Sequence, residues 1–181
     1  HYLDAGENPP DGVSVSYYLK AKPADGITLS ILDAKGQLIK SCSSKEPEKP
    51  SEDTKDEDKK GPRVPKELGM NRFGWNLRYP DAEKLPGDKT TEELLSGPIA
   101  APGAYQVQLK VGEQTLTQPF DLKPDPRVQA TSQDLQAQFD LWMKIRERLS
   151  ETHRAVKQLR GARAQVEEWE KRAAAAGNAR A

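Results

Sequence analysis

Residues 27–42 read ITLSILDAKGQLIKSC, and the period of two in this stretch decides the architecture of the chain. Ile27, Leu29 and Ile31 share one face of a strand, because successive side chains of extended backbone point to opposite sides. Asp33-Ala-Lys-Gly36 has turn chemistry, with Gly36 free to take positive φ, so Ile27–Leu32 and Gln37–Cys42 form a predicted hairpin.

The same alternation recurs outward from it. Val13, Val15, Tyr17 and Leu19 share a face upstream. Downstream, Phe73, Trp75, Leu77 and Tyr79 alternate with Arg72, Gly74, Asn76 and Arg78. Tyr105, Val107, Leu109 and Val111 repeat the pattern, and Val111-Gly-Glu-Gln114 turns into Thr115–Leu122. Pro119 has no N–H to donate, so that last strand belongs at a sheet edge or a bulge. Six or seven short strands separated by Gly and Pro turns predict a mainly β chain built on an antiparallel β-sandwich, with a closed barrel as the alternative.

At Thr131 the period changes. Thr131-Ser-Gln-Asp134 reads as a capping box, after which Leu135, Trp142, Leu149 and Val156 recur every seven residues. Ile145, Leu159 and Val166 fall on a companion seam, with Phe139 beside it. Asp140 with Lys144, Glu167 with Lys171 and Glu168 with Arg172 are favourable i, i+4 pairs. An unbroken helix from Asp134 to Arg172 would be about 58 Å long. Gly161 costs about 1 kcal/mol relative to Ala and is the place where such a rod would bend. From Ala173 the sequence AAAAGNARA reads as a fraying end and a turn.

The chain has 181 residues, 35% hydrophobic and 31% charged, with 28 basic against 28 acidic side chains and a mean hydropathy of −0.85. The zero charge is a cancellation: residues 1–43, 44–63 and 64–130 each carry −1, whereas 131–181 carry +3. Residues 44–63 contain no hydrophobic side chain, and leaving them out raises the hydrophobic share to roughly 39%. Having nothing to bury, they are expected to be a mobile charged loop, extending over 44–68. The expected organisation is a sandwich over 1–127, with a long loop at 80–102, and a helical extension over 128–181 that forms half of a helical hairpin. No apolar run approaches the roughly 18 residues of a membrane helix, and the neutral balance argues against generic nucleic-acid or membrane binding. A single cysteine, Cys42, excludes an internal disulfide.

Chemistry-bearing patterns are few. Asp56-Glu-Asp-Lys-Lys-Gly61 with Glu67 approaches the spacing of a calcium loop, but Lys60 stands at a ligand position. The two histidines, His1 and His153, lack a spaced nucleophile or carboxylate, and His153 reads as a flank of the helix seam. The pairs Asp81/Glu83 and Glu92/Glu93 sit in a polar loop, where carboxylates meet by chance. Tyr18, opposite Tyr17, is the exposed ring a sugar-binding sandwich would use. Arg146, Arg148, Arg154, Lys157, Arg160 and Arg163 are interleaved with acids and read as a solvated helix face.

Asn8-Pro-Pro-Asp-Gly12, Gly69-Met-Asn-Arg-Phe-Gly-Trp-Asn-Leu-Arg-Tyr-Pro80, Gly97-Pro98 with Pro102-Gly-Ala-Tyr105, and Asp125-Pro-Arg127 stand in this order before the helix. Together they resemble the C-terminal region of bacterial sortilin-like or BNR-repeat β-propeller proteins, often labelled glycosyl hydrolases. The sandwich is also similar to fibronectin-III-like and flagellar hook-cap Ig-like domains. Gly74 and Asn76 depart from that pattern, which often has a larger apolar residue and Asp there. The resemblance implies a secreted, extracellular or periplasmic parent protein, a propeller outside this segment, and a second helix beyond Ala181. It supplies no catalytic residue, since the matching positions are turn and core residues.

The expected function is a non-catalytic accessory module, a spacer and docking element that uses no cofactor or metal. Trp142, Ile145, Leu149, Val156, Leu159 and Val166 are the expected docking residues. They would meet the propeller domain, a second helix of the parent chain or a second copy, with no nucleic acid and no membrane insertion. A carbohydrate-binding module, or part of a glycoside hydrolase whose active site lies elsewhere in the parent chain, is the alternative.

Overall fold

The computed structural model describes residues 11–45, 62–91 and 94–178. They form two compact units, one from the chain up to Tyr79 together with Ile99–Gln136, the other from Pro80–Pro98 together with the chain from Ala137 onward.

The first unit holds six strands: β1 (Val13–Leu19), β2 (Ile27–Asp33), β3 (Leu38–Ser43), β4 (Gly69–Trp75), β5 (Gly103–Val111) and β6 (Gln114–Leu122). All pairings are antiparallel, and they make a two-stranded sheet β1-β4 and a four-stranded sheet β3-β2-β5-β6. Side chains of both sheets share one core, in which Leu19, Phe73 and Trp75 meet Ile27, Leu29, Ile31 and Tyr105. The arrangement is sandwich-like. Trp75, Tyr105 and Phe120 form an aromatic triad with ring centroids 5.8 to 6.4 Å apart. Pro119 lies in the edge strand β6, where its missing donor costs the ladder nothing.

Local chemistry sets the turns. In the β2–β3 hairpin the Asp33 carboxylate accepts hydrogen bonds from the main-chain N–H groups of Lys35 and Gln37, both at 2.8 Å, and Gly36 takes φ 78°. Asn71, buried in β4, is satisfied by the main chain: Oδ1 accepts from Glu67 N–H at 3.0 Å, and Nδ2 donates to the carbonyls of Glu67 and Gly69. Cys42 lies in the core, where burial pushes its thiol up against the opposing effect of Lys40.

The alternation over 73–79 does not end as one strand. Strand β4 stops at Trp75, and Leu77 takes φ 62°. The Trp75 indole N–H donates to the Arg78 carbonyl at 3.1 Å. Arg78 then pairs alone with Ile99, while the Leu77 carbonyl accepts from Ala100 N–H at 2.7 Å. A left-handed residue turns the strand, so the period-2 pattern overshoots it by four residues.

One helix, α1 (Ser132–Asn178), follows the strands; its 47 residues make it as large a part of the structure as the six strands, of 6 to 9 residues each. Thr131 and Asp134 cap it reciprocally: Asp134 N–H donates to Thr131 Oγ1 at 3.1 Å, and the Asp134 carboxylate accepts from Thr131 N–H at 3.0 Å and from its hydroxyl at 2.6 Å. The helix runs unbroken through Gly161 and continues over Ala173–Asn178, where the sequence reading expected a frayed end and a turn. Four alanines are the strongest helix formers and outlast the weak Gly177 signal.

Candidate docking face

In the second unit, the segment after Pro80 is held against α1 through its main chain. Arg146 Nη1 donates to the Pro80 carbonyl at 3.1 Å, His153 Nδ1 donates to the Glu83 carbonyl at 2.5 Å, and Arg160 Nη1 donates to the Pro86 carbonyl at 2.9 Å. The spacing has a geometric cause. Extended chain advances about 10 Å in three residues, and a helix advances about 10.5 Å in seven. Donors seven apart therefore meet carbonyls three apart. Ser150 Oγ accepts from Glu83 N–H at 3.0 Å, and Arg154 reaches the Glu83 carboxylate at 3.6 Å.

His153 is thus buried, only 4% exposed, and is a fastening point where a seam flank was expected. Its Nδ1 carries the proton because a carbonyl only accepts. Its Nε2 lies 3.2 Å from Thr91 Oγ1, whose hydroxyl bonds to the Asp88 carboxylate. Asp88 also accepts from the Thr90 hydroxyl at 2.6 Å. The Thr90 and Thr91 hydroxyls hold the Asp88 carboxyl well below its ordinary range. Asp81 is likewise structural, accepting from Gly97 N–H at 2.7 Å.

These fastenings divide the apolar residues of α1. Trp142, Leu149 and Val156 are half-buried and share the helix side that carries Arg146, Ser150 and His153. Among the described residues, the exposed large apolar side chains of the helix are Leu141, Ile145, Leu159, Val166 and Trp169. At about 100° per residue, all five fall on or beside one stripe away from that side, with Ala155, Ala162 and Ala173 between them. The expected docking residues therefore separate: Trp142, Leu149 and Val156 lie on the covered side, whereas Ile145, Leu159 and Val166 lie on the open one. Trp169, not among the expected residues, completes the open stripe; its four-three spacing from Leu159, Ala162 and Val166 was the available signal. Near the start of the stripe, Leu94, Leu141, Trp142, Ile145 and Leu149 line an open apolar groove of about 440 Å³.

The remaining candidates are structural or lie elsewhere. Tyr17 is half-buried, its hydroxyl donates to the Pro65 carbonyl, and burial pushes its pKa up to about 12. Tyr18 is 61% exposed on the other face, so the two rings form no common platform. Asp56–Gly61 of the calcium-like loop, Glu92, Glu93 and His1 lie outside the described residues. Among the described residues no group of three His, Cys, Asp or Glu could hold a metal ion, and no helix is long and apolar enough to cross a membrane. No family model, curated protein or solved structure matches the chain.

Proposed function

We propose that this chain is a non-catalytic docking and spacer module of a larger secreted protein, an Ig- or fibronectin-III-like sandwich whose C-terminal helix presents an apolar stripe to a partner. One observation carries the reading: the large apolar side chains that remain exposed on α1 are gathered on one stripe while the other seam is used internally. Scattered exposed apolar residues need no explanation, whereas a contiguous line of them marks an interaction site. The resemblance to sortilin-like and BNR-repeat proteins supplies the context of a propeller-bearing, extracellular or periplasmic parent chain. The docking residues in this reading are Ile145, Leu159, Val166 and Trp169.

A photo-activated cross-linking side chain placed at Leu159 in the full chain, with a control at the exposed Ala164 on the opposite side of the helix, tests it. Capture of a protein from position 159 and not from 164 is the expected outcome. Equal labelling, or none from either, would remove the docking role.

A further inference from the structure

We propose that the C-terminal part of the open stripe, from Leu159 to Ala173, is closed by the α1 helix of a second copy of this chain, packed antiparallel across it. The inference rests on the docking reading above and names the occupant. Leu159 is 71% exposed, Val166 52% and Trp169 66%, and they repeat at the alternating four-three spacing of a coiled-coil seam, with Ala162 between the first two. The helix is long enough, about 70 Å, to carry this seam beyond the part fastened to the segment after Pro80.

Charge fixes the direction. Arg154, Lys157, Arg160 and Arg163 form a basic block with no acid between them, and Glu167, Glu168 and Glu170 follow as an acidic block. A parallel second copy sets basic block beside basic block. An antiparallel copy, with the two-fold axis near Glu167 and Glu168, instead places the two basic blocks at opposite ends of the paired region and sets Arg163 of each copy beside Glu170 of the other. In this register Val166 packs on Trp169 of the second copy, and Ala162 faces Ala173, where small side chains let the helices approach. Arg163 and Glu170 flank the seam at positions that meet between antiparallel copies. Arg163 already donates its Nε–H to Glu167 of its own helix at 2.7 Å, and the guanidinium retains donors for a second carboxylate.

The test is the solution mass of the full chain by sedimentation over about 1 µM to 1 mM, with circular dichroism confirming helicity. The wild type is expected to double its mass with concentration. Arg163→Glu alone sets Glu against Glu170 of the other copy, and Glu170→Arg alone sets Arg against Arg163, so each variant should remain monomeric at concentrations where the wild type pairs. An equimolar mixture restores both opposite-charge contacts and should recover the doubled mass. Dimerisation of either variant like wild type, or a mixture that stays monomeric, overturns the antiparallel register. A wild type that is monomeric throughout, while the probe at position 159 still captures another protein, overturns the second copy and leaves the docking face standing. A monomeric wild type whose probe captures nothing overturns both.

Discussion

The imidazole Nδ1 of His153 lies 2.5 Å from the carbonyl oxygen of Glu83 and is the middle of three side-chain contacts from α1 to main-chain carbonyls of the segment after Pro80. A buried carbonyl deprived of its donor costs about 1–3 kcal/mol. Replacing His153 with Ala should therefore loosen residues 80–91 from the helix while leaving the strands intact. Hydrogen exchange checks this: amides of Ala82 and Glu83 lose protection, and those of β2 and β5 keep theirs. Equal loss in both places would show that His153 acts on the fold as a whole.

Gly12 has φ 94°, and a Cβ built on it would lie 2.0 Å from the Trp75 carbonyl oxygen. Both the left-handed backbone and the clash oppose any other residue, so Gly12→Ala should destabilise the first unit by more than about 1 kcal/mol. Thermal unfolding followed by tryptophan fluorescence should show a midpoint lowered by several degrees; an unchanged midpoint would mean that Val13 and the start of β1 shift freely.

Gly161→Ala should act in the opposite direction. Gly161 lies within α1, and a Cβ there meets nothing within 4 Å. Its replacement removes a helix penalty of about 1 kcal/mol. Greater helicity by circular dichroism and a raised unfolding midpoint are expected, and a loss of either would indicate that the bare position is needed.

Asp88 and Asp134 impose a pH dependence of known sign. Thr90, followed by Thr91, depresses the Asp88 carboxyl, and the Thr131 hydroxyl depresses that of Asp134. Both folded values lie below the ordinary 3.8. The stabilisation is therefore complete above that value and is lost as pH falls through the depressed ones. Carboxyl carbon shifts recorded from pH 6 downward should show both groups titrating later than free Asp. In Thr131→Val the Asp134 midpoint should move up toward 3.8, while that of Asp88 stays in place.

Much of the fold was legible because its signals are local. Alternation placed five strands nearly to the residue, and Asp33 with Gly36 identified the hairpin from the turn chemistry alone. The exception was β4, which begins at Gly69, four residues before the alternation that starts at Phe73, and ends at Trp75, since nothing in the pattern as far as Tyr79 reveals that Leu77 adopts a left-handed backbone. At the helix, heptad spacing identified both seams but gave them equal standing. Glu168 pairs with Arg172 as its spacing implies, whereas Glu167 bonds to Arg163, one turn toward the N-terminus.

By itself the sequence determined an antiparallel β unit followed by a long capped helix, because side-chain period and turn residues act over a few neighbouring positions. Only the tertiary structure decided which helix seam is occupied and which remains open. The segment after Pro80 reaches α1 through carbonyl oxygens three residues apart, and every residue type carries a carbonyl. A contact written in the main chain leaves no side-chain pattern to read, so His153, Arg146 and Arg160 acquired their roles only when the helix and that segment came together.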